Sequence, residues 1–333
     1  MLIVDGHEDI AWNILQYRRD YIQSAMNIRK TEEGTAVPEK NGLCMLGKPD
    51  WIQGRVAVIF ATLFAAPKRH YAGPDPRFSY STVEEAYRLY RKNLEIYQEL
   101  VENHPQTFQL IFDQTDLMVN LETWRDEEQE PVIGLVLLME GAEGVRKPEE
   151  ILEWYEAGLR ILGPSWVSTQ YSGGTREPGP LSEKGRELLK TMQNLNMGLD
   201  LSHLSVEAAH EALNMYEGIV IASHSNAKAL LPGSHEPDRH LTDGMIRGIV
   251  EHGGVVGVVP FNEYLDGDWR MGDDRSEVEL EAIVNQIKYI CDIAGDSHHV
   301  GVGSDFDGGF GSESVPPGIE TIADLRKIGE ALL

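Results

Sequence analysis

Residues 198–224 read GLDLSHLSVEAAHEALNMYEGIVIASH. Two short apolar runs, Gly198–Leu201 and Ile219–Ala222, flank Val206–Met215, where apolar residues recur at helical spacing. Ser205 stands where an N-cap belongs, and Glu207 falls in the first turn, where a carboxylate suits the positive end of the helix dipole. Strand, helix, strand is the building unit of a parallel sheet. Each of these two strands runs directly into a histidine, His203 or His224.

The same alternation extends outward in both directions. Apolar runs at Leu2–Val4, Val56–Phe64, Val132–Met139, Leu159–Leu162, Val255–Val259 and Val300–Val302 bring the expected strands to eight. Helical periodicity occupies Thr82–Glu102, Leu181–Leu195 and Val278–Ala294, the last closing before Gly295. Eight strands each followed by a helix is the count of a (β/α)8 TIM barrel, an α/β fold of about 250 residues. The chain has 333 residues, and the surplus falls chiefly in Asn27–Asp50 and Tyr71–Phe78. Phe108–Phe112 reads as a peripheral ninth strand. A doubly wound open sheet fits the same alternation and stays open at this point. No repeat, low-complexity tract or linker interrupts the pattern, so one domain over 1–333 is expected. Thr321–Leu333 reads as a helix without a Gly or Asn cap, so a final packing element is expected to be lacking.

Composition narrows the function. Hydrophobic residues make up 41%, enough for a core that needs no disulfide. The two cysteines, Cys44 and Cys291, have no metal-ligand spacing and read as buried small hydrophobes in a reducing compartment. The start, MLIVDGHEDI, lacks a basic region and a long apolar run, and no stretch approaches a membrane span, so a cytoplasmic location without membrane contact is expected. The formal charge is −25, with acidic runs at Glu127–Glu130 and Asp273–Glu281. Such a field repels phosphate backbones and argues against a nucleic-acid partner.

Chemistry concentrates at the strand ends. VDGHED (4–9) places His7 and Asp9 two apart, on one side of an extended backbone. A neutral imidazole with a hard carboxylate suits zinc or a similar divalent ion. In LVLLMEGAEG (135–144), Glu140 ends a buried apolar run and must be paired, hydrogen-bonded or metal-bound; Glu143 is the weaker candidate. Adjacent strands lie about 4.8 Å apart, so His203 and His224 could share one ion. In HVGVGSDFDGG (299–309), Asp305 follows the eighth run, with Asp307 two residues on as a competitor. In a barrel these residues cap strands 1, 3, 5, 6 and 8 at the face where active sites lie. The chain has no HExxH and no GxSxG. His298 and His299 precede a strand and read as structural, while His70, His104, His210 and His252 read as solvated.

These stretches resemble the amidohydrolase superfamily and, within it, the membrane dipeptidase (renal dipeptidase) family of zinc metallopeptidases. The matching segments are DGHED (5–9), MEGAEG (139–144), DLSHLS (200–205), ASHSNA (222–227), DRHLTD (238–243) and GSDFDG (303–308). A glutamate on strand 3, rather than a modified lysine, separates this family from many of its relatives. The resemblance implies that His7 and Asp9 bind one zinc, that His203 and His224 bind a second, and that Glu140 bridges both. It implies that Asp305 is the acid/base carboxylate and that Arg239 grips the substrate carboxylate. One departure stands out: where family members carry a histidine after strand 4, this chain has ILGPSWV (161–167), with Trp166 at that place and facing the substrate. The expected reaction is hydrolysis of a small dipeptide by hydroxide held between two divalent ions, with a homodimer left open. Hydrolysis of an N-acyl amino acid or a lactone, and a catalytically silent metal-binding homologue, are the alternatives. A metal-dependent sugar isomerase would need a proton- or hydride-shuttling site that the sequence does not show.

Overall fold

The computed structural model describes every residue except 72, 74, 127 and 129, so the Tyr71–Phe78 insertion and the Glu127–Glu130 acidic run lie partly outside the described residues. Eight parallel strands form the centre: β1 (Ile3–Glu8), β2 (Val56–Phe64), β3 (Ile133–Glu140), β4 (Leu159–Gly163), β5 (Gly198–Asp200), β6 (Val220–Ile221), β7 (Val256–Val258) and β8 (Val300–Val302). Hydrogen-bonded neighbours run β6-β5-β4-β3-β2-β1-β8-β7, each strand beside its neighbour in sequence, with β8 returning to β1. A doubly wound sheet would break that order at a switch point. A bridge between Ala222 and Val256 and a 2.7 Å bond from Ser225 N to Gly257 O link β6 to β7, so the barrel is nearly closed. The short strand Phe108–Leu110 pairs with the first half of β3, while β4 pairs with its second half.

Glycines make the closure possible. Gly6 in β1, Gly257 in β7 and Gly303 after β8 all face the backbone carbonyl of Ser223, and a Cβ on them would lie 2.6, 2.0 and 1.8 Å from that oxygen. No side chain fits at such distances, so these strands converge where their side chains are absent.

Local signals set the helices. Thr82 and Glu85 form a capping box at the start of Val83–Asn103, and Ser182 and Ser205 cap Glu183–Asn194 and Val206–Met215. Gly295 closes Glu281–Ala294 in the left-handed conformation. Thr321 caps a 3-10 turn, Ile322–Leu325, that continues as Arg326–Ala331. Among the described residues no helix is long and apolar enough to cross a membrane. β1 runs four residues past the apolar run Leu2–Val4, because its polar residues are satisfied inside. Asp5 accepts from Ser304 N at 2.7 Å, and Glu8 accepts from Trp51 Nε1 at 3.0 Å.

The stretch between β1 and β2 is folded rather than loose, with helices Ala25–Glu32, Val37–Asn41 and Lys48–Gly54. It contributes to a buried ionic network. Arg19, 3% exposed, makes a two-pronged bond to Glu32 at 2.8 and 3.1 Å and reaches Asp307 at 3.0 Å. Asp307, fully buried, also accepts from Tyr21 Oη at 2.7 Å and Met45 N at 2.8 Å. Asp307 is thus engaged by Arg19, Tyr21 and Met45, whereas Asp305 lines the cavity. Asn13 Nδ2 donates both to Asp9 O at 2.9 Å and to Asp307 O at 2.8 Å, tying the two loops together. Removing one partner of a buried pair leaves the other uncompensated. Arg19→Met is therefore expected to lower unfolding stability by about 3–5 kcal/mol, read from urea midpoints. The same change at Arg125, in an exposed pair with Glu122, should leave the midpoint where it was.

Candidate metal centre

The C-terminal ends of the barrel strands bring His7, Asp9, Glu140, His203, His224 and Asp305 to one place. Glu140 sits in the middle. Its Oε1 lies 3.0 Å from His203 Nε2 and 3.4 Å from His224 Nε2, while its Oε2 lies 3.7 Å from His7 Nε2. Ligand atoms of His7, Glu140 and His224 lie within 4.8 Å of one another, and those of His7, Asp9 and Asp305 do the same. His203, Asp305 and Asp307 hold left-handed backbones, at φ 67°, 55° and 66°. Such conformations in non-glycine residues cost on the order of 1–3 kcal/mol each and gather at functional sites.

The electrostatics are unfavourable without a cation. Burial raises the Asp9 carboxyl to about 6, with Glu140 adding to the effect. Burial also raises Asp305 well above the ordinary carboxylate range; His7 opposes this, and Asp9 and Glu140 reinforce it. Burial alone would disfavour charge on His7, yet Glu140, Asp9 and Asp305 outweigh it and raise the imidazole to about 9. His203 is lowered to about 4 by burial and by Arg239. His224 is lowered well below its usual value by burial, His7 and Arg239. Three carboxylates crowd a buried site whose imidazoles on β5 and β6 resist protonation, the donor set a divalent ion would neutralise.

Hydrogen bonding fixes which imidazole nitrogens face that point. Ser223 Oγ lies 2.5 Å from Asp200 Oδ2, 2.8 Å from His224 Nδ1 and 3.2 Å from His7 Nδ1. Asp200 can only accept, so the single hydroxyl proton goes to it. The lone pairs of Ser223 then accept from Nδ1–H of both histidines, which turns both Nε2 atoms toward Glu140. Thr175, at the tip of the hairpin formed by Ser172–Gly174 and Glu177–Leu181, holds His203 Nδ1 at 3.0 Å in the same way. His203 Nε2 and His224 Nε2 are consequently 2.9 Å apart with lone pairs converging, and His7 Nε2 is buried without a hydrogen-bond partner among the described residues. Orphaned nitrogens of this kind are what a metal ion satisfies. On the carboxylate side, Thr62 Oγ1 donates to Asp9.

The other expected residues are placed unequally. Trp166 lies on the wall of a cavity of about 270 Å³ that opens over Asp9, Glu140, His203 and Asp305. Arg239 reaches the edge of the centre but is 2% exposed, with Nη1 donating to Ser225 Oγ at 2.9 Å and Nη2 to His224 O at 2.6 Å. Its guanidinium lies 5.1 Å from the Tyr264 ring, which forms the cavity wall in front of it. Its Nε has no partner among the described residues. Glu143 accepts from Gln170 N at 3.1 Å and takes no part in the cluster. His299 Nδ1 bonds Gly254 O at 2.7 Å, a structural role as expected. Two histidines read as solvated are not: His70 pairs with Glu177 at 2.9 Å on the cavity wall, and His252 bonds Tyr216 O at 2.8 Å. Ser223, Thr175, Thr62 and Asp200 were not singled out by sequence reasoning. Asp200 carried a signal, since a carboxylate inside the apolar run GLDL needs a buried partner.

Comparison with known proteins gives the family and supports the fold. The family model described as membrane dipeptidase (peptidase family M19) matches residues 1–333. The dipeptidase verJ of Clonostachys rogersoniana is 26% identical, over 98% of this chain and 78% of its own length. A protein from the pqqA 5′ region of Klebsiella pneumoniae is 35% identical over 54% of this chain and 67% of its own. Among solved structures, a metallopeptidase from Rhodobacter sphaeroides, bound to a phosphinate mimic of L-Ala-D-Ala, superposes with a TM-score of 0.78 at 24% identity, covering 100% of this chain and 92% of the other. The match of the family over the full chain, on a barrel of the same fold, places the protein in the membrane dipeptidase family, peptidase family M19.

Proposed function

We propose that the chain is a zinc-dependent dipeptidase with two ions, and that His7, Asp9, Glu140, His203 and His224 hold them. The observation that carries this is the Glu140 carboxylate, one oxygen toward His203 and His224 and the other toward His7, with three imidazole Nε2 atoms turned inward. Divalent ions bound there would polarise the scissile carbonyl and supply hydroxide near neutrality.

The remaining chemistry belongs to the chain. Asp305 reaches the cavity with a carboxyl pushed above its ordinary range. It takes the proton of the attacking water and passes it to the amine nitrogen as the peptide bond breaks. Arg239 supplies fixed positive charge behind Tyr264, on the β6–β7 side, for the carboxylate of the residue that leaves. A subsite that pairs with the carboxylate of the leaving residue would select dipeptides over longer chains.

Three outcomes test this reading. Chelation should abolish turnover across a dipeptide panel, and two equivalents of zinc should restore it; zinc-loaded protein with no turnover on any dipeptide would sink the proposal. Arg239→Ala should raise KM for dipeptides with a free carboxylate far more than for their amides, and equal effects would remove its role. Ser223→Ala should weaken zinc binding by about 10–100-fold in chelator competition, because both histidines lose the contact that orients them. Unchanged zinc affinity would show that the hydroxyl does not set the tautomers.

A further inference from the structure

The cavity has a continuous aromatic wall on one side. On the β1–β4 side stand Trp12, just after β1, Phe64, which ends β2, then Tyr71, and Trp166 beyond β4. Trp12, Phe64 and Ala66, with Tyr71 and Trp166 packed on them, make an apolar cluster separate from the main core. Their rings are continuous: Trp12 to Phe64 is 5.1 Å, Trp12 to Tyr71 is 6.1 Å and Phe64 to Trp166 is 5.2 Å between centroids. The wall ends at the centre, where Trp166 lies 6.2 Å from the His203 ring. Across the barrel, the β6–β8 side carries Glu236, Glu263 and Asp305 among Phe261, Tyr264, Met271 and Phe310, with Arg239 behind Tyr264.

A dipeptide is a two-ended ligand, and its reacting carbonyl must lie at the Glu140 cluster between these sides. With the carboxylate drawn to the Arg239 side, the amino-terminal residue falls against the aromatic wall. The four ring side chains carry no charge at neutral pH. His70, whose ring lies 6.4 Å from that of Trp166, is already bonded to Glu177 at 2.9 Å, and the same carboxylate takes Arg69 at 2.7 Å. Trp166 and Tyr71 are only partly buried, so ring surface faces the cavity and gains by being covered.

We infer that Trp12, Phe64, Tyr71 and Trp166 form the subsite for the side chain of the substrate's amino-terminal residue, and that the substrates are dipeptides with a large apolar or aromatic residue there. This rests on the dipeptidase reading and adds which end of the substrate is selected and for what.

The test uses the zinc-loaded full chain and kcat/KM for Phe-Gly, Leu-Gly, Gly-Gly, Asp-Gly and the reversed Gly-Phe. Phe-Gly and Leu-Gly should exceed Gly-Gly and Asp-Gly by about tenfold or more. Trp166→Ala should cut the Phe-Gly to Gly-Gly ratio by about fivefold or more, and leave the Gly-Phe to Gly-Gly ratio in place. Tyr71→Ala, at the exposed edge of the wall, should move the ratio in the same direction and guards against a folding defect in the first variant. A preference that follows the carboxy-terminal residue, or ratios that neither variant changes, overturns the subsite while the dipeptidase reading stands. No hydrolysis of any dipeptide overturns both.

Discussion

Three carboxylates, Asp9, Glu140 and Asp305, are held at the mouth of a nearly closed barrel where water cannot screen them fully, and the surrounding structure is organised around that repulsion. Carboxylates crowded in this way require compensating positive charge, and the imidazoles around them, oriented from behind, offer the donor atoms for a cation that would supply it. Ser223 alone bonds Asp200, His7 and His224. It sits where β1, β7 and β8 pack against its carbonyl through glycines. Barrel closure and the direction of the imidazoles are thus two results of one close approach.

The frame was largely legible in the sequence. Strand positions follow from apolar runs, because a parallel strand buried on both faces must be apolar along its length. The caps at Thr82, Ser205 and Gly295 were readable because capping needs particular side chains at particular places. β1 was read short because Asp5, His7 and Glu8 interrupt the apolar pattern, and the partners that satisfy Asp5 and Glu8, Ser304 and Trp51, lie far along the chain.

The candidate site divides in the same way. His7, Asp9, Glu140, His203, His224 and Asp305 could be found because each stands where a strand ends, and strand ends converge. Ser223, Thr175 and Thr62 could not, since a lone hydroxyl carries no sequence signature and matters only through a contact made in space. The choice between Asp305 and Asp307 is of the latter kind. Two residues separate them, and only Asp307 is paired with Arg19, a contact reached through the stretch between β1 and β2. Arg239 shows the limit of reading by motif. Its motif gives no sign that the side chain is buried behind Tyr264, which is a tertiary fact.

The pairing of β1 with β8 has a temporal side. His7 and Asp9 leave the ribosome first among the site residues and Asp305 last, and β1 takes its place between β2 and β8 with Asp5 opposite Val302. The amide of Asn13 spans the same gap, from Asp9 to Asp307. A growing chain can assemble Glu140, His203 and His224 while β8 is still unmade, but the half of the site around Asp9 and Asp305 has to wait for the last barrel strand. Any ion taken up during synthesis would therefore meet a half-built site, and the charged pocket would be complete only when the two distant ends of the barrel have met.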